Sequence, residues 1–229
     1  MAENRHALDS VLASPNLTVV APSAGMRIAA EEAGALNVVQ IPNPLDSFWA
    51  SSRTKKTLTL HGLRFVFVAA KVDDPIKGLQ SILRWWDDRP DWFISLTIVG
   101  ANSLEYASTS KGVLARGPLD REHLKNEFLQ ADVLVFASEE DNAPNVIAEA
   151  VGCGLPILCL GDKMRSWLEL DGTPLLAESD LACERTFESF VSGPYRELRD
   201  NFLEKRDPSN VARQMIAEYQ TAKRRGNSR

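Results

Sequence analysis

A chain of 229 residues, 44% apolar and 25% charged, has the composition of an ordinary globular protein and the length for one large domain, or one domain plus part of another. Its formal charge of −5, from 26 basic against 31 acidic residues, gives no reason to expect a nucleic-acid partner. Three cysteines without a CxxC pair and three histidines (His6, His61, His123) without an HExxH spacing make neither a disulfide framework nor a metal-ligand motif, so no metal is expected. No apolar run reaches the roughly 18 residues of a membrane span, and the opening MAENRHALDS has no signal-peptide core. The expected location is cytoplasmic, in solution or resting on a membrane surface.

In chain order, LTVVAP (Leu17 to Pro22) reads as a buried strand, and Ser23 then caps a helix through GMRIAAEEAGA. VVQIP is a short strand, and NPLDSFWASSRTKK reads as a linker. LRFVFVAA (Leu63 to Ala70) is an almost wholly apolar strand, followed by the polar loop KVDDPIKG and the helix LQSILRWW. LTIVGA (Leu96 to Ala101) and GVLARG are strands, and DREHLKNEFLQA is a helix. DVLVFAS (Asp132 to Ser138) is a strand, a helix opens near Pro144, and LPILCL is the next strand. From Pro194 onward the tail is helical, in two pieces divided at RDPSN, and it ends in the basic, solvated KRRGNSR.

Continuous apolar strands alternating with helices imply a parallel sheet covered on both faces. The expected fold class is therefore α/β, a doubly wound, Rossmann-like sheet. Ligands of such sheets bind beyond the carboxyl ends of the strands. Three loops with conspicuous chemistry should share that edge: Lys71 to Gly78, Gly100 to Ser103, and Ser138 to Asn145.

The helix near Pro144 offers free N–H groups and a partial positive charge, which suit an anion. Asp141 or Asn142 can cap it. Asp141 precedes the helix and Glu149 lies about a turn and a half inside, so the two carboxylates face different parts of an extended ligand. Carboxylates accept hydrogen bonds from hydroxyls, which fits a ligand with hydroxyls at both ends and phosphates between. The plainer alternative makes Asp141 a cap and Glu149 part of a solvated helix face. Lys71 and Lys77 flank the same edge as two cations able to neutralise a diphosphate. A lysine at a helix start has the wrong sign for the dipole, and a phosphate would compensate it. Both could equally be surface lysines.

These stretches together resemble the C-terminal half of the retaining GT-B glycosyltransferases of group 1 (glycosyltransferase family 4). RFVFVAAKVDDPIKGLQSIL is similar to that family's strand, basic residue and Lys-Gly helix start, and LTIVGAN to its next strand and glycine loop. VLARGPLDREHLKNEFLQADVLVFAS is similar to the family's succeeding strand, its helix and a further strand that ends at serine. DNAPNVIAEAVGCGLPIL resembles the family signature of two acidic residues separated by seven and then a Gly-Leu/Thr-Pro-Val turn. The resemblance implies that Glu149 binds the ribose hydroxyls of a nucleoside diphosphate-sugar. It implies that Asp141 holds a sugar hydroxyl, with Asn142, Ala143, Pro144 and Asn145 around the sugar and β-phosphate. Lys71 and Lys77, with Asp141, would form the catalytic set by stabilising the leaving diphosphate. Gly78, Gly100 and Asn102 would border the donor, and the base would lie near Arg116 to Leu119. Transfer with retention, without a metal or other cofactor, is the implied reaction. Lys71 stands where arginine is more usual, and Asp141 where glutamate is commoner.

The resemblance also implies a division of the chain. Residues 1–46 would be the remnant of a largely missing N-terminal domain and its linker, 47–206 the nucleotide-sugar-binding domain, and 207–229 a C-terminal helix and basic tail. Such a half would be inactive or weakly active alone, partnered by a separate N-terminal domain chain or a second copy. The strand Leu17 to Ala21 and the helix after Asn210 would then need a partner or stay mobile. A non-catalytic nucleotide-sugar-binding or assembly module and a sugar-nucleotide epimerase are the alternatives.

Overall fold

The computed structural model describes residues 11–50 and 62–227. The opening Met1 to Ser10, with His6, the linker beyond Ala50, with His61, and the last two residues of the basic tail lie outside them. Two sheets form. Strands β1 (Val19–Ala21) and β2 (Val38–Gln40) make a small parallel pair, joined by helix α1 (Ala24–Glu32). The main sheet holds β3 (Leu63–Lys71), β4 (Phe93–Ala101), β5 (Val113–Ala115), β6 (Val133–Phe136) and β7 (Ile157–Cys159). Its order is β5-β4-β3-β6-β7, and every pairing is parallel.

Alternation along the strands builds two cores. Leu63, Phe65, Phe67 and Ala69 of β3, with Val133 and Val135 of β6, face helix α2 (Leu79–Asp87). Val66 of β3, with Leu134 and Phe136 of β6, faces α3 (Arg121–Gln130), α4 (Asn145–Gly152) and α5 (Asp162–Leu170). Both faces being covered explains why these strands are apolar throughout. Helices α6 (Glu184–Ser192), α7 (Pro194–Lys205) and α8 (Pro208–Asn227) complete the chain.

The strand order reverses between β3 and β6. The chain runs outward through β4 and β5, then returns to the other side of β3 as β6 and β7. That switch point opens a crevice at the carboxyl ends of β3 and β6, where α/β sheets of this kind bind ligands.

Several expectations change in detail. The linker is partly core: Leu45 and Trp49 are buried against Phe128, Ile147 and Val151. Helices α5 and α6, not among the expected elements, come after β7. The strand and tail helix expected to lack partners find some within the chain. β1 pairs with β2, α1 packs on α5, and Val211 of α8 is buried. Val20, Leu36, Met215, Ile216 and Tyr219 on or beside these elements nonetheless stay exposed.

Candidate functional site

Three loops leave the carboxyl ends of β3, β4 and β6 and are tied to one another. After β3, Asp74 caps a 3-10 turn, Pro75–Lys77, by accepting the Ile76 N–H at 3.1 Å. Gly78 ends that turn in the left-handed region, φ 70°, and seats its Cα against the Ala137 carbonyl; a Cβ there would approach that oxygen to 2.2 Å. Only glycine allows so close an approach at that backbone angle. Ser138 is buried with its hydroxyl 2.9 Å from the Glu140 carbonyl and 3.2 Å from the Ile76 carbonyl, and the Glu139 N–H donates to the Ile76 oxygen at 2.9 Å. The 71–78 and 138–145 loops are therefore one unit.

Lys77 and Asp141 meet across that unit, Nζ to Oδ2 at 3.1 Å, with only 29% and 23% of their side chains exposed. Lys71 is different. It is 63% exposed and lies 3.6 Å from Asp73, which also accepts from Asn102 Nδ2 at 3.0 Å. The Asn102 amide draws the Asp73 carboxyl below the ordinary carboxylate range, with help from Lys71. Asn102 is left-handed, φ 66°, and lies two residues after Gly100, whose Cα sits against the Ala69 carbonyl.

The start of α4 departs from expectation. Pro144 is itself the cap residue, and neither Asp141 nor Asn142 caps the helix with its side chain. Asp141 is engaged by Lys77, and Asn142 is exposed. The helix end is thus open to an anion at the place where the loops converge. Ala143 and Pro144 are half-buried beside it, and Asn145 accepts from Asn43 Nδ2 at 3.1 Å.

Glu149, one turn in, is half-buried and faces a cleft of about 560 Å³. Asn43, Asp46, Trp49, Arg121 and Asn145 complete its wall. The size is within the range of small-molecule sites. Burial raises the Glu149 carboxyl above its ordinary range, and the Arg121 charge partly opposes this. Arg121 opens α3 and pairs with Asp46 at 2.7 Å, its guanidinium over the Phe48 ring at 4.6 Å. Arg116, expected near the base, turns to Glu127 of α3 at 2.9 Å, and Leu119 is half-buried. A larger groove, about 720 Å³, lies on the α2 side between Trp85, Phe93, Arg165 and Leu181 and includes none of the expected residues. Among the described residues, no group of three or more His, Cys, Asp or Glu side chains is arranged to hold a metal, and no helix is long and apolar enough to cross a membrane.

The structure thus gathers Lys77, Gly78, Asp141 and the head of α4 at the switch point, with Asn102 adjoining through Asp73 and Glu149 along the same helix. Sequence reasoning missed Asp46, Arg121 and Asp73. One signal for Arg121 existed: an arginine on the first residue of a helix opposes the dipole and needs an acidic neighbour.

The protein-family model "Glycosyl transferases group 1" matches residues 62–182, more than half of the chain and all three loops. The chain belongs to the group 1 glycosyl transferases. No curated protein matches its sequence. Among solved structures, sucrose-phosphate synthase from Thermosynechococcus elongatus is similar, at 17% identity and a TM-score of 0.65, over 96% of this chain and 62% of that one. The α,α-trehalose 6-phosphate synthase of Burkholderia multivorans aligns at 14% identity and a TM-score of 0.60, over 97% and 63%. The lipopolysaccharide outer core galactosyltransferase WaaB, in its apo form, aligns at 14% and 0.59, over 89% and 60%. Identities this low speak for the fold, which is the GT-B type with its Rossmann-like sheet. The group 1 chain spans about three-fifths of the length of these structures.

Proposed function

We propose that the chain binds a nucleoside diphosphate-sugar at the carboxyl edge of its main sheet, as the donor half of a retaining glycosyltransferase. One observation carries this most: the open amino end of α4 stands next to the Lys77–Asp141 pair, with no side chain capping it. A helix end and a cation converging on one spot favour a diphosphate. A carboxylate 3.1 Å from that cation suits a sugar hydroxyl as an acceptor. Bound donor would divide the pair, phosphate oxygens taking Lys77 and a sugar hydroxyl donating to Asp141. Glu149, in its cleft along the same helix, would accept from the ribose hydroxyls. As the anomeric C–O bond breaks, negative charge grows on the departing diphosphate, and Lys77 with the α4 N–H groups stabilises it. No metal or cofactor is invoked. The sugar acceptor and the surface that binds it are assigned to a further domain or partner chain, and alone this chain would turn over slowly or not at all.

A non-catalytic nucleotide-sugar-binding module is the second reading. The exposure of Lys71 and its engagement with Asp73 favour it, since the second cation expected at the diphosphate is turned elsewhere.

Calorimetric titration with UDP, GDP and ADP, then with their sugars, tests the site. One nucleotide should bind, and Glu149→Ala should weaken it by roughly 1.5–3 kcal/mol, about ten- to a hundredfold. A folded protein that binds none of them at millimolar concentration would rule out the donor site.

A further inference from the structure

The loop that carries Asp141 is held from a distant part of the chain. Ser23, 6% exposed, caps α1 by accepting the Met26 N–H at 3.2 Å, and it donates its own proton to the carbonyl of Asn142. Its neighbour Ala24 gives its N–H to Asp171 Oδ1 at 2.8 Å, and Gln40 of β2 gives an amide proton to the same oxygen at 2.7 Å. Asp171 is buried, on the turn after α5. Nearby, the Leu45 N–H reaches the Arg206 carbonyl at 2.8 Å. The β1–α1–β2 unit is thus pinned to the main domain, and its side-chain bond to the 141–145 loop runs from Ser23 to Asn142. That carbonyl lies between Asp141, which pairs with Lys77, and Pro144, which starts α4. A shift at Asn142 moves both.

We propose that Ser23 is a positioning residue, whose hydroxyl proton holds the 141–145 loop in the conformation that aims Asp141 and the head of α4 at the sugar and diphosphate. This assignment rests on the donor-site reading above. The hydroxyl is suited to the task because the α1 cap occupies it as an acceptor and leaves its proton free for the loop.

Three variants separate the two bonds. Ser23→Thr keeps both. Ser23→Asp can still accept from Met26 but cannot donate to Asn142. Ser23→Ala loses both. Hydrogen–deuterium exchange across residues 139–146 needs no ligand and reads the loop directly. Exchange should quicken about three- to tenfold in the aspartate and alanine variants, the factor a single hydrogen bond is worth, and stay at the native rate in the threonine variant. In the aspartate variant the α1 amides should keep their protection, so the change would not be a lost cap. Loop exchange at the native rate in both variants, or quickening only when α1 also loosens, overturns the proposal. If the aspartate variant does not fold, Ser23→Gly decides, because glycine is tolerated as a helix cap but has no hydroxyl proton for Asn142. Loop exchange that quickens while α1 keeps its protection supports the proposal, and exchange at the native rate overturns it. The matching ligand result is a larger loss of affinity for the nucleotide-sugar than for the nucleoside monophosphate, and equal losses contradict a role aimed at the sugar. Native protein that binds no nucleotide would sink the donor reading while leaving the exchange result to judge the loop.

Discussion

The two ends of the main sheet are built by different means. At the amino end, Phe65, Trp85, Trp86 and Phe93 form a continuous aromatic cluster, with Phe65 and Phe93 centroids 4.6 Å apart. Trp86 is fully buried, and its indole N–H reaches the Lys111 carbonyl at 3.0 Å. Phe65 and Trp86 are wholly enclosed, and of this cluster Trp85 and Phe93 border the groove of about 720 Å³, which holds none of the expected site residues. At the carboxyl end the packing stops short. A lysine faces an aspartate, a helix begins uncapped, and a glutamate sits half-buried in an open cleft. The amino end lowers the free energy of the fold, and the carboxyl end holds a part-buried ion pair, an uncapped helix and a half-buried carboxylate that core packing does not require.

That division can be broken from either side. The largest effect should come from Trp86→Ala, which removes a fully buried indole and should cost about 3–5 kcal/mol in urea unfolding. Whatever fraction stays folded should bind nucleotide as the native protein does. Gly78→Ala strikes the carboxyl end through its backbone. A left-handed alanine costs roughly 1–2 kcal/mol, and the Ala137 carbonyl resists the new methyl besides. Both thermal stability and nucleotide affinity should fall, because the 71–78 and 138–145 loops move together. A variant as stable as the native chain would show that this contact is not a constraint.

The smallest effect is a matter of pH. Burial raises the pKa of Glu149 in the folded protein, so it takes up a proton at a higher pH than an ordinary glutamate does. Affinity for the nucleotide should therefore decline as pH falls through that raised value, before exposed carboxylates titrate. Glu149→Gln should bind more weakly and lose this part of the pH profile. A native profile flat down to the ordinary carboxylate range would place Glu149 outside the contact.

Much of the sheet could be read from the chain because its strands are covered on both faces. LRFVFVAA and DVLVFAS are apolar at nearly every step for that reason. The Ser23 cap was equally legible, being a local matter of one hydroxyl and a nearby N–H. The site was legible in its loops and less so in its pairings. Lys77 and Asp141 lie 64 residues apart, and no local pattern says that they touch. The linker misled, since Leu45, Phe48 and Trp49 stand in one short run flanked by Pro, Asn, Ser and Lys, yet Trp49 is core beside Phe128. Arg116 and Glu127 of α3 lie 11 residues apart, and no local pattern states that they pair. The Ser23 bond to Asn142 spans 119 residues and depends on how α1 docks, which no stretch of sequence states.

Amide chemical-shift mapping of the tightest-binding nucleotide tests the central claim most directly. A donor site at the carboxyl edge predicts the largest shifts at Gly78, Asn142, Asn145, Val146 and Glu149, with the amides around Trp85 and Phe93 undisturbed. Shifts gathered instead along the groove of Trp85, Arg165 and Leu181, with the head of α4 silent, would contradict it.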